Sequence, residues 1–68
     1  MIVQRAVHMV PIKIGDLIQL NGYDGVVYYG TVVDKYKEGI TIVFSDGDEE
    51  HYYTEELENE RMYILEVL

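Results

Sequence analysis

Between Val26 and Tyr53 the chain alternates apolar and aromatic runs with turn residues, in the order VVYYGTVVDKY, KEG, ITIVF, SDGD, EEHYY. That punctuation constrains the fold more than any other feature. An amphipathic helix needs apolar residues recurring at three- and four-residue spacing over about ten or more positions, and breaks this frequent leave no room for one. β-Branched and aromatic side chains fit a pleated, half-buried surface, whereas Gly and Asp mark its turns. Asp46-Gly47 supplies residue types that tolerate positive φ in a tight hairpin. The expected class is all-β.

The remaining elements follow from the same pattern. LIQL (Leu17–Leu20) is a strand between the turns KIGD and NGYDG, and MYILEV (Met62–Val67) is the last strand. In the long run from Val26 to Tyr36, alternation puts Val26, Tyr28, Gly30, Val32 and Asp34 on one face and Val27, Tyr29, Thr31, Val33 and Lys35 on the other. Gly30 in mid-strand predicts a bulge or a sharp bend. TEEL (Thr54–Leu57) reads as one helical turn, with Thr54 as N-cap and Glu55 and Glu56 near the positive end of its dipole. A helix through EELENERMYILEVL is the rival for this tail, but its apolar spacing is incomplete. Five short strands with tight connections and one short helical turn before the last describe a small, strongly bent antiparallel barrel, which closes most of its own edges. The barrel would occupy residues 14–68. Residues 1–13 are left as an N-terminal extension or edge strand, Ile2 to Val10, which Pro11 ends or holds at an edge because it lacks a backbone donor.

Sixty-eight residues make one domain, and a chain this short hides only about 60% of the surface its unfolded form exposes. With no cysteine, neither a disulfide framework nor a thiolate zinc site can staple it, so stability comes from packing or from self-association. No segment approaches the roughly 20 apolar residues that cross a bilayer, and the N-terminus, with Gln4, Arg5 and His8, does not resemble a cleaved signal. The expectation is an intracellular protein, cytoplasmic or nuclear, without membrane contact.

Charge narrows the partners. Thirteen acids against five Lys and Arg give −8, and eight of those acids lie between Asp46 and Glu60 with no Lys or Arg among them. A field of that sign repels phosphate backbones and attracts basic proteins, so direct nucleic-acid binding is disfavoured. Acids also serve simply to keep a small domain soluble. Catalysis is not expected: there is no cysteine, Ser45 is the only serine, and His51 has no third group at a triad spacing. Two histidines are too few for a zinc site. Asp46, Asp48 and Glu50 fall at the first, third and fifth positions of a calcium loop, but His51 and Leu57 stand where Gly and Glu are required. No metal or cofactor is implied.

Ile14-Gly15, Asp24-Gly25, Tyr28, Gly30, Val32, Phe44, Asp46-Gly47 and Leu57 stand in an order and spacing that resembles the Tudor domain and its Royal-family relatives over residues 14 to 67. The resemblance implies an SH3-like barrel of Tudor type that reads methyl-lysine or methyl-arginine through an aromatic cage with a carboxylate at its rim. Such a cage works because aromatic faces attract a poorly hydrated methylammonium cation. Tyr28 matches a cage tyrosine, Phe44 a cage phenylalanine and Asp46 the rim acid. The sequence departs from the family pattern at Asn21 or Gly22 and at Asp48, so a complete cage requires Tyr23 or Tyr52 to turn in.

Three functions remain open at this level. One is a non-catalytic module that binds a basic segment, methylated or not, through Tyr23, Tyr28, Phe44, Asp46 and Tyr52, with Asp48, Glu49, Glu50, Glu55 and Glu56 as an acidic partner surface. Another is a stand-alone acidic inhibitor that imitates nucleic acid in the basic groove of a nucleic-acid enzyme. The third is an assembly subunit, including a homo-oligomer, that pairs through its N-terminal strand. The aromatics also have a plainer use, since Tyr28 or Tyr29, whichever faces inward, and Phe44 would serve as core.

Overall fold

The computed structural model describes residues 1–68. Six strands form one antiparallel sheet: β1 (Ile2–Ala6), β2 (Leu17–Asn21), β3 (Val27–Lys35), β4 (Gly39–Phe44), β5 (Glu49–Tyr53) and β6 (Met62–Val67). Their order across the sheet is β1-β6-β2-β3-β4-β5. Two 3-10 helices, Val7–Met9 and Thr54–Asn59, follow β1 and β5. The all-β expectation holds, with six strands in place of five.

The additional strand is β1, which pairs with β6 from Ile2 opposite Val67 to Ala6 opposite Tyr63. It is shorter than the run Ile2 to Val10, because the chain leaves the sheet at Ala6 and the 3-10 helix turns Val7 into the interior. Pro11 therefore lies beyond the end of the strand and does not cause it. Val7 and Ile12 are buried in the same core as Ile18, Val32, Ile40, Ile42, Phe44, Leu57, Met62 and Ile64. Residues 1–13 thus contribute core side chains as well as an edge strand.

Alternation along β3 separates the two expected faces. Tyr28, Gly30 and Val32 face the core, while Val27, Tyr29 and Val33 are exposed. Gly30 is needed for close approach: a Cβ there would sit 2.7 Å from Ile42 Cγ2 and 2.9 Å from Phe44 Cδ1. The bulge expected at Gly30 lies further along, where the pairing steps from Val32 opposite Ile42 to Asp34 opposite Thr41. Val33 is the residue left over, and a bulge there sharpens the local twist.

The tail is a 3-10 helix followed by a strand, which excludes the continuous helix. Met62 and Ile64 are buried on alternate positions of β6, and Leu57 plugs the core from the 3-10 helix. Thr54 does not cap that helix with its side chain. The cap position falls on Tyr53, and the Thr54 N–H instead donates to the Glu38 carbonyl at 2.8 Å.

Candidate functional site

The inner faces of β2, β3, β4 and β5 run out together at the β4–β5 turn. There the sheet encloses a concavity of about 240 Å³ lined by Leu20, Tyr28, Phe44, Asp46, Asp48, Glu50 and Tyr52. Register brings these residues together: Leu20 lies opposite Tyr28, Gly30 opposite Phe44, Ile42 opposite Glu50 and Ile40 opposite Tyr52. Because Gly30 has no side chain, the Phe44 ring reaches Tyr28 edge to face, with centroids 6.3 Å apart and planes at 70°. That geometry sets the positive edge of one ring against the negative face of the other. Phe44 is buried, and Leu20, Tyr28 and Tyr52 pack against the core as half-buried walls.

One wall is anchored from behind. The Tyr28 hydroxyl donates to Asp24 Oδ2 at 2.8 Å, and the Val26 N–H donates to Asp24 Oδ1 at 3.0 Å. Those two bonds hold the Asp24 carboxyl below the usual carboxylate range. The bond to Asp24 in turn raises the Tyr28 hydroxyl, helped by desolvation and by the charges of Asp24, Asp46 and Asp48. Gly22 makes the anchor fit, since a Cβ there would meet the Tyr28 ring at 2.9 Å. The Tyr52 hydroxyl is pushed up to about 12, first by burial and then by Glu50, Glu60 and Glu56.

No cation balances the acids around the concavity. The one ion pair in the chain joins Arg5 to Glu66 at 3.4 Å, far from it in sequence and on the β1–β6 side of the sheet. Asp46 Oδ1 accepts the Asp48 N–H at 3.0 Å, which shapes the turn without neutralising either side chain. The site therefore combines three aromatic rings with three carboxylates that have no basic partner. Chemically it suits a cation with apolar substituents.

Four of the five cage candidates, Tyr28, Phe44, Asp46 and Tyr52, line this space; Tyr23 does not. The turn from Gly22 to Gly25, closed by a Gly25 N–H bond to the Gly22 carbonyl at 3.1 Å, carries Tyr23 away from the concavity. Its hydroxyl donates to the Asn59 carbonyl at 3.0 Å, and the Arg61 guanidinium lies 5.4 Å from its ring centroid. Tyr23 already serves a cation of its own chain. The five residues of the expected acidic surface also divide. Asp48 and Glu50 line the concavity, Glu49 lies opposite Val43 on the other face of the sheet, and Glu55 and Glu56 are exposed on the second 3-10 helix. Leu20, Gly22 and Asp24 were not singled out as site residues from sequence. Only the Asp24–Tyr28 spacing across a glycine turn hinted at the anchor.

A second hollow, about 280 Å³, lies at the opposite end of the β4–β5 hairpin, lined by Tyr36, Glu38, Gly39, Ile40, His51, Tyr52 and Tyr53. Two of its lining side chains share a buried partner: Thr41 bonds the Tyr36 hydroxyl and also lies 2.7 Å from His51 Nδ1 through the same Oγ1.

No three His, Cys, Asp or Glu side chains are grouped to hold a metal ion, and no helix is long and apolar enough to cross a membrane. Comparison with protein-family models, with curated proteins and with solved structures finds no match to this chain.

Proposed function

We propose that the protein is a non-catalytic binding module that receives a basic segment of a partner protein, with a lysine or arginine side chain seated in the Tyr28–Phe44–Tyr52 concavity. The observation that carries this reading is the convergence of three aromatic rings and the unpaired carboxylates of Asp46, Asp48 and Glu50 on one space. A methylated cation suits the site best, because it loses little hydration and gains from the ring faces. The strand order β6-β2-β3-β4-β5, with a 3-10 helix just before β6, supports an SH3-like barrel of Tudor type to which β1 adds one strand. The acidic-inhibitor reading has less support, since its carboxylates are divided between two faces of the sheet and a helix. An intracellular setting fits a partner of this kind.

The test is an NMR titration of ¹⁵N-labelled protein with matched peptides carrying unmodified, methylated and dimethylated lysine or arginine. Shifts centred on Tyr28, Asp46, Asp48 and Tyr52, larger with methylated peptide, are the expected result. Tyr28→Ala should weaken that binding about tenfold. The reading fails if no basic peptide moves those resonances, or if a folded Tyr28→Ala variant binds as tightly as wild type.

A further inference from the structure

The sheet has two open edges, β1 at one side and β5 at the other. Hydrogen-bond alternation identifies the backbone groups each edge leaves unused. Across β1 and β6 the Leu68 N–H donates to the Met1 carbonyl at 2.8 Å. In the register Val3 opposite Glu66 and Arg5 opposite Ile64, the bonded pairs therefore continue at Val3 and Arg5. The N–H and C=O of Ile2 and Gln4 point away from β6. Across β4 and β5 the Phe44 N–H donates to the Asp48 carbonyl and the Thr54 N–H to the Glu38 carbonyl, both at 2.8 Å. Glu50 and Tyr52 accordingly face β4, and the backbone groups of Glu49 and His51 point outward, as does the Tyr53 N–H.

We propose that copies of this chain assemble head to tail, the β1 edge of one copy adding to the β5 edge of the next so that the sheet runs on from chain to chain. One antiparallel register satisfies the backbone, the faces and the side chains together. With Gln4 opposite His51, those two residues exchange both backbone hydrogen bonds. Ile2 then lies opposite Tyr53, Val3 opposite Tyr52, Arg5 opposite Glu50 and Ala6 opposite Glu49. The faces agree, because Val3 and Arg5 share the core face with Ile64, and Glu50 and Tyr52 share it with Ile42 and Ile40. Arg5 meets an acid that has no basic partner within its own chain. Ile2 and Tyr53, 66% and 59% exposed in the single chain, cover one another. Opposite charges and apolar–aromatic pairs directly across strands each stabilise such a joint.

Charge selects this joint over its rivals. β1 presents Arg5, whereas β5 presents Glu49 and Glu50 after Asp48. Two β5 edges brought together would unite like charges, which is destabilising. Two β1 edges could pair, but would leave both acidic edges open. The head-to-tail contact is heterologous, so it closes into a ring if the rotation per copy allows and otherwise lengthens.

Analytical ultracentrifugation of the full chain across a concentration series at about 0.15 M salt, where screening is appreciable but incomplete, tests the proposal. Wild type should show concentration-dependent species larger than a dimer. Arg5→Glu and Glu50→Arg should each raise the dissociation constant about tenfold, and the two together should return it to within about threefold of wild type. Glu50→Arg is the cleaner change, since it leaves the Arg5–Glu66 pair intact. Gln4→Pro should abolish growth, because it removes an outward donor while the Val3 and Arg5 bonds to β6 survive. Circular dichroism verifies that each variant is folded. A wild type that stays monomeric to millimolar concentration overturns the proposal. So does an association indifferent to both charge reversals. A dimer lost with Arg5→Glu but kept with Glu50→Arg would place β1 against β1 and equally overturn it.

Discussion

The two hollows at either end of the β4–β5 hairpin are close in size and both walled by tyrosines, yet they treat their polar groups in opposite ways. At the Tyr36 end, a hydroxyl, a buried threonine and an imidazole nitrogen are bonded to one another. At the Phe44 end, the Tyr28 hydroxyl is committed to Asp24, while Asp46, Asp48 and Glu50 crowd the opening without a cation. A satisfied network holds a structure in place, whereas carboxylates without a cation beside aromatic faces leave the charge of the hollow unbalanced. Aromatic content alone does not distinguish the two; the hydrogen-bond inventory does.

The largest expected effect separates structure from site at the Phe44 end. Phe44→Ala should cost about 3–5 kcal/mol in urea denaturation, because the ring is core as well as wall. A loss of peptide binding in that variant would therefore say little about the site, and Tyr28→Ala is the better probe. At the other end, Thr41→Val keeps the shape but removes the shared hydroxyl, and should cost about 1 kcal/mol in the same assay. If it costs nothing, the Tyr36–Thr41–His51 chain is ornamental and the contrast between the two hollows fails.

Two smaller effects depend on pH. The Asp24 carboxyl lies below its ordinary 3.8 in the folded chain, so it contributes stability above that pH and loses it as pH falls through the lowered value. Tyr28→Phe removes one of the two bonds responsible. The stability difference between wild type and this variant should thus shrink as urea denaturation is repeated below pH 3.8. Tyr52 behaves in the opposite sense: raised from 10.0 to about 12, its hydroxyl contributes stability below 10.0 that disappears as pH rises toward 12. Tyrosinate absorbance, taken as wild type minus Tyr52→Phe, should show that one late ionisation. Glu50→Gln should bring it earlier, since the Glu50 charge is one of its causes.

Much of this was legible in the chain itself. Turn residues at short intervals and period-two alternation determined the all-β class, the extents of β5 and β6 within the sequence, and that Tyr28, Gly30 and Val32 share one face of β3. These are local properties, written in neighbouring residues. The pairing of β1 with β6, the bulge at Val33 and the departure of Tyr23 to Asn59 and Arg61 were decided only by tertiary structure. Each depends on residues distant in sequence meeting: β1 must find the other end of the chain, the bulge must suit β4, and Tyr23 must choose between a shared concavity and a cation of its own. The sequence determined which aromatics and acids are present and which residues of β3 share a face. Register and long-range contacts decided that Tyr28, Phe44, Tyr52, Asp46, Asp48 and Glu50 share one space, because strand order is set by burial across the whole sheet.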